Sequence, residues 1–125
     1  MHSTARMKEL SARAVLAWNE RRLDDFYALY HPDVVHHGAD GVDREGVGEL
    51  RSLYDAALTF CPDLTITSTL VVADPEAGSL ASIQTESGTS VTGEPFGFQG
   101  MLFLRLGDDG LVHEAWSRFD RCPAE

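Results

Sequence analysis

The feature that most restricts how this chain can fold is a change of hydrophobic period at Cys61-Pro62-Asp63. Before it, apolar residues recur at helical spacing; after it, they alternate. Residues 4–22 place Leu10, Ala14, Ala17 and Trp18 on one side of a first helix, with Lys8, Glu9, Arg13 and Arg21 largely elsewhere. A second helix covers about residues 24–30, with Phe26, Leu29 and Tyr30 on its buried side. It stops at His31-Pro32, because the residue before a proline avoids the helical region. Residues 34–37 are a short extended stretch ending at Gly38, and a polar loop through Asp40-Gly41 follows. The third helix, about residues 44–60, presents Val47, Leu50, Leu53, Tyr54, Ala57 and Leu58.

Beyond the switch, Leu64, Ile66, Leu70 and Val72 alternate with Thr65, Thr67, Thr69 and Val71, a pattern rich in β-branched residues. Turn-forming residues at 74–78, 93–97 and 107–110 separate three further strands, at residues 79–92, 98–106 and 111–120. Helices first and a run of antiparallel strands after them argue for an α+β fold. At 125 residues the chain is a single domain, residues 1–125, with no internal repeat or linker.

Ten Lys and Arg stand against twenty Asp and Glu, a formal net charge of −10, and no Lys or Arg occurs between Arg51 and Arg105. Such a field repels phosphate backbones and anionic bilayers, so neither nucleic acid nor membrane is an expected partner. No apolar run is long enough to span a bilayer, and no signal peptide is read ahead of the first helix, which points to a cytoplasmic protein. Cys61 and Cys122 lack metal-ligand or redox spacing and read as free thiols; a disulfide between them would need a secreted context.

The last strand carries the chemistry of greatest interest. By strict alternation Val112, Glu114, Trp116, Arg118 and Asp120 share one face, and Leu111, His113, Ala115, Ser117 and Phe119 the other. Three ionisable groups beside a Trp suit either a solvated face with a Glu/Arg pair or the wall of a cavity, where desolvation raises a carboxylate's pKa into a useful acid/base range. His37 is either a loop histidine or a group at a cavity mouth, with His36 facing the other way. Adjacent strand residues point apart and no third ligand accompanies them, so no metal site is expected from this pair. Trp18, Tyr30, Tyr54 and Trp116 suit a core or an aromatic wall for a flat organic ligand. Glu86, in phase with Ser82 and Gln84, is a surface residue or a further wall position. There is no Ser-His-Asp arrangement, P-loop or dinucleotide fingerprint.

Several of these pieces, in this order, carry a family resemblance: Trp18-Asn19, Asp25-Phe26-Tyr27 and Leu29-Tyr30; Pro32-Asp33-Val34-Val35 with His37-Gly38; and Arg44-Glu45-Gly46. After them come Cys61-Pro62-Asp63-Leu64, Gly88-Thr89, and residues 107–116 with Asp120. The chain resembles the SnoaL-like polyketide cyclases and ester-cyclase-like proteins of the nuclear transport factor 2-like superfamily over nearly its whole length. The resemblance implies a cone, with three N-terminal helices closing a curved antiparallel sheet over a pocket, and often a homodimer packed through the sheet. It also implies that Asp120 matches the aspartate that serves such cyclases as acid/base. Residues 98–106 contain no counterpart of those cyclases' pocket histidine, and Ser82, Ile83 and Gln84 stand where ester-cyclase-like relatives often carry an Arg.

Two functions follow as expectations, since this fold hosts many chemistries. One is a cofactor-independent cyclase, isomerase or lyase that moves a proton α to the carbonyl of a small, largely apolar compound, possible in secondary metabolism. Asp120 would be its base, His37 or a tyrosine would polarise, and Trp18, Tyr30, Tyr54, Glu86 and Trp116 would contact the substrate. The other is a non-catalytic small-molecule-binding or dimerisation module. A homodimer is expected in either case, burying an outer sheet face of His113, Ala115, Ser117 and Phe119.

Overall fold

The computed structural model describes residues 2–121; Cys122, and with it any disulfide to Cys61, lies outside them. Helix α1 (Thr4–Asn19) is capped by Ser3, whose hydroxyl accepts from the Arg6 amide at 3.1 Å, and it buries Met7, Leu10, Ala17 and Trp18. It ends three residues short of the 4–22 span read from the sequence. Asn19 pairs with the backbone of Ile66 like a strand residue, donating from Nδ2 (2.9 Å) and accepting at Oδ1 (2.8 Å). Arg21 then takes a left-handed conformation (φ 59°), from which its guanidinium donates to the carbonyls of Trp18, Pro62 and Leu64. The end of α1 is thereby fastened to the start of the sheet.

Helix α2 (Leu23–Tyr27) is shorter than its sequence pattern, and Tyr30 already belongs to strand β1 (Tyr30–His37). A short strand β2 (Asp43–Glu45) occupies what reads as the entry to the third helix, and α3 (Val47–Phe60) starts only after Gly46, at φ 91°. Strands β3 (Thr65–Asp74), β4 (Ser79–Thr89), β5 (Pro95–Leu106) and β6 (Val112–Arg121) follow. All six strands form one curved open sheet in the order β2-β1-β6-β5-β4-β3. Every pairing is antiparallel except β1 with β6, which is parallel. The helices pack on the concave side, with Trp18, Met7, Leu50, Val34, Val112 and Cys61 the most deeply buried side chains. None of the described helices is long and apolar enough to cross a membrane.

Two one-residue bulges decide which residues face the helices. Between β3 and β4 the register runs Ser68 to Gln84 and then Leu70 to Ile83, leaving Thr69 extra. Between β5 and β6 it runs Arg105 to Glu114 and then Leu106 to Val112, leaving His113 extra. An inserted residue sends every later side chain to the opposite face. On β3, Val71 and Ala73 therefore join Ile66 against the core, while Leu70 and Val72 are 53% and 54% exposed. On β6, Val112, Ala115 and Ser117 are buried, whereas Arg118 and Asp120 are exposed. This corrects the strict alternation read from the sequence, which put Glu114, Trp116, Arg118 and Asp120 with Val112 and left Ala115, Ser117 and Phe119 outside.

Strands β5 and β6 approach each other closely at Gly100, opposite Phe119. A Cβ there would collide with the Arg118 carbonyl and the Phe119 Cα. Because both obstacles are backbone, the strand pair itself would have to move. Gly100→Ala is expected to destabilise the fold by about 1–3 kcal/mol, the usual cost of overpacking, seen as a lower urea midpoint at unchanged m-value.

Candidate functional site

Between the helices and the concave face lies a cavity of about 410 Å³, within the range of small-molecule sites. Its lining is mainly apolar and aromatic. Trp18 and Phe26 meet edge-on with centroids 5.4 Å apart, Tyr54 meets Trp18 in the same way at 5.4 Å, and Phe96 and Phe98 form another edge pair at 5.5 Å. Trp18 is fixed in this wall because its indole N–H donates to the buried Leu64 carbonyl at 3.0 Å. The phenols of Tyr30 and Tyr54 have pKa values raised by burial, so both are neutral donors at physiological pH. Asp40 and Arg44 also line the cavity, joined by an ion pair of 2.8 Å in which Asp40 is half exposed.

Two groups in this wall can handle protons. His36, 3% exposed, lines the cavity with its Nε2 3.0 Å from the Ser117 hydroxyl, and Ser117 lines the cavity as well. His36 Nδ1 has no hydrogen-bond partner among the described residues. Desolvation, reinforced by the positive charge of Arg44, lowers the His36 pKa to about 4, so the ring is neutral at pH 7. Glu86 reaches the cavity from β4, two residues beyond Gln84 and flanked across the ladders by Ile66 and Phe98. Its apolar surroundings raise its pKa by desolvation. A carboxyl group and a neutral imidazole thus share one largely apolar chamber.

The sequence-derived candidates separate. Trp18, Tyr30, Tyr54 and Glu86 line the cavity. Asp120, His37 and Trp116 do not, which corrects their expected position in its wall. Asp120 is exposed on the outer face opposite Gln99, because the His113 bulge turns it outward. Trp116 lies on that same face, where it stacks on His37 (5.0 Å) and meets Phe103 edge-on (5.4 Å). His37 is held between Asp43, 2.8 Å from Nδ1, and Glu114, 2.7 Å from Nε2. Both nitrogens face acceptors, so its pKa is raised, chiefly by the hydrogen bond to Glu114 and then by that to Asp43. His36, Ser117 and Gln84 were not singled out as site residues. For His36 the signal was available, since it is in phase with Val34, a core residue by composition; for Ser117 the bulge concealed it.

Helices closing a curved sheet around an apolar cavity define the nuclear transport factor 2-like cone. The sequence profile of the SnoaL-like domain matches residues 12–115, and the chain belongs to that family. Among solved structures it is similar to AclR, a proposed hydroxylase from Streptomyces galilaeus, at 25% identity and a TM-score of 0.83, covering 94% of this chain and 81% of the other. It is also similar to a proposed polyketide cyclase from Xanthomonas campestris pv. campestris (17% identity, TM-score 0.85, 94% and 92% covered). A third likeness is to IdmH, a proposed polyketide cyclase from Streptomyces antibioticus (23% identity, TM-score 0.78, 90% and 91% covered). No curated protein matches the sequence.

The lowered pKa of His36 makes a signed prediction. The unfolded chain binds a proton near pH 6.5 and the folded chain only near 4, so in that window the unfolded state holds more protons and stability is lost as the pH is lowered. The loss is full below about pH 4 and amounts to about 3 kcal/mol. In urea titrations from pH 7 to 4, His36→Gln is expected to flatten this part of the profile. An unchanged slope would mean that His36 titrates normally.

Proposed function

We propose that the chain is a cofactor-independent acid/base enzyme that moves a proton α to the carbonyl of a small, largely apolar compound, with cyclisation, isomerisation or elimination as the outcome. The observation that carries this reading is the pairing of Glu86, a carboxyl group of raised pKa, with neutral His36 in one apolar cavity. The acid/base role that the family resemblance implies for Asp120 passes in this proposal to Glu86, and that of His37 to His36. Glu86 as carboxylate takes the α-proton and returns it at the new position. The enolate oxygen that forms between these steps is met by the His36–Ser117 pair. Whichever group donates within that pair, the other keeps one N–H or O–H for a ligand oxygen. Because the ring is neutral, it polarises the carbonyl without bringing a charge into the cavity. Trp18, Tyr30 and Tyr54 orient the ring system of the substrate.

The test is deuterium exchange α to the carbonyl of 1-tetralone or a cyclic 1,3-diketone, followed by NMR in D2O. The native protein is expected to accelerate exchange, and Glu86→Gln to lose on the order of 10²–10⁴ of that rate while still binding the ketone. Glu86→Gln should also be the more stable protein at neutral pH. A raised carboxyl pKa means that the folded state holds the extra proton above pH 4.5, so native stability falls as pH rises through the folded-state value. Binding without exchange in the native protein would instead identify a non-catalytic ligand carrier.

We also propose that two copies pack through the outer sheet face. Support for it comes from Leu70 and Val72 on β3 and Met101 and Phe103 on β5, which are 53%, 54%, 60% and 40% exposed. The two strands flank β4, where Leu70 and Met101 both pair with Ile83 and Val72 and Phe103 both pair with Ala81, an apolar grouping unusual for a solvated surface. These replace the His113, Ala115, Ser117 and Phe119 set read from the sequence. Sedimentation should give a dimer at tens of micromolar and a monomer for Met101→Asp; a native monomer would overturn the proposal.

A further inference from the structure

On the side of the β1–β6 seam away from the cavity, His31 converges with Asp109 and His113, two residues four apart and remote from it in sequence. His31 follows Tyr30, His113 is the extra residue of the β6 bulge, and Asp109 belongs to the turn before β6. One potential ligand atom from each lies within 4.8 Å of the other two. The parallel ladder is interrupted here, between the pair Tyr30–Val112 and the pair Val35–Glu114. Tyr30 and Val112 turn inward to the cavity, and their neighbours His31 and His113 meet each other with ring centroids 4.3 Å apart and a tilt of 31°. His113 lies against Gly107, where a Cβ would strike its ring, and its Nε2 is 3.0 and 3.1 Å from the two carboxylate oxygens of Asp109. Asp109 is in turn fixed by accepting from the Leu111 amide at 3.0 Å.

We propose that His31, Asp109 and His113 form a binding site for one divalent d-block cation, of the Zn²⁺, Co²⁺ or Ni²⁺ class. Two imidazoles and one carboxylate suit these borderline ions better than Ca²⁺ or Mg²⁺, which prefer all-oxygen shells. Metal–ligand bonds of about 2.0–2.2 Å put neighbouring ligand atoms roughly 3 Å apart, close to the present spacing of His113 and Asp109. The cation would replace the proton now shared by that pair, so little rearrangement is required on that side. His31 gives up one contact, the bond its Nδ1 accepts from the Asp33 amide at 3.0 Å; Asp33 is exposed, and water can take over that donor. The net charge of −10 favours cation approach. Such an ion would bridge β1 and β6 where their own ladder fails, directly behind Tyr30 and Val112. The site stands independently of the proposed proton transfer.

The test is calorimetric titration of the metal-stripped native protein with ZnCl₂ and CoCl₂, with melting temperature as a second readout. One cation per chain is expected, with a melting temperature that rises with cation concentration. His31→Gln and His113→Gln should each weaken binding at least about tenfold, while His37→Gln leaves it unchanged. In the native protein, paramagnetic Co²⁺ should broaden the amides of residues 31 and 109–113 before any others, a result that does not depend on how the variants fold. The site is overturned by absence of saturable binding, by a loss in only one of the two histidine variants, by sensitivity to His37→Gln, or by broadening centred elsewhere.

Discussion

Much of the structure depends on one extra residue, His113, in the last strand. Without it, the side chains following Val112 on the inner face would be Glu114, Trp116, Arg118 and Asp120. Three charges would then face Leu102 and Leu104, which line the cavity from the neighbouring strand, and burying an unpaired charge costs far more than an apolar wall returns. The bulge exchanges that set for Ala115, Ser117 and Phe119. It leaves Glu114 outside to pair with His37 and with Arg105 at 3.0 Å. The register shift therefore creates an apolar cavity and a charged, aromatic outer surface from the same ten-residue strand.

The adjacent histidines of β1 show the same division electrostatically. His36 looks into the cavity, loses water and has its pKa lowered to about 4; His37 looks out, meets two carboxylates and has its pKa raised. One backbone step reverses the sign. Their contributions to stability have opposite pH dependence: that of His36 is lost as pH falls below 6.5, and that of His37 is present below 6.5 and lost as pH rises through its folded-state value. Within the cavity the outcome is a mainly apolar chamber whose fixed charges, Asp40 and Arg44, are paired with each other, and in which the carboxyl group of Glu86 has its proton affinity raised by the solvent it lacks.

The change of period at Cys61-Pro62-Asp63 makes the order of helices and strands legible in the sequence, because amphipathic spacing is imposed by burial. Trp18, Tyr30 and Tyr54 are legible as wall positions for the same reason; Glu86 is not, because a carboxylate in phase with Ser82 and Gln84 reads equally as a surface residue. The facing of Leu70, Val72, Trp116 and Asp120 is not legible. A single inserted residue inverts every later position on a strand, and neither Thr69 nor His113 is a residue type that announces an insertion. Strand β2 was hidden too, since three exposed or half-exposed polar residues, Asp43–Glu45, form a strand only because β1 offers an edge. The end of α1 at Asn19 depends on Ile66, far along the chain, and no local pattern contains that partner.

The position of β1 has a consequence for the chain's conformational entropy. Strands β3 to β6 succeed one another through short turns, so each ladder closes only a small loop. Strand β1 instead joins β6, pairing His36 with Ala115 across most of the chain. The entropic cost of a loop grows by only about 0.6 kcal/mol per doubling of its length, but here it falls on a ladder that is parallel, interrupted and short. Helix α3 and its contacts with β1 must offset that cost, for the strand's own hydrogen bonds are few. The wall that holds His36 is consequently secured by side-chain packing from the helices, and the shape of the cavity is coupled to how firmly α3 is seated.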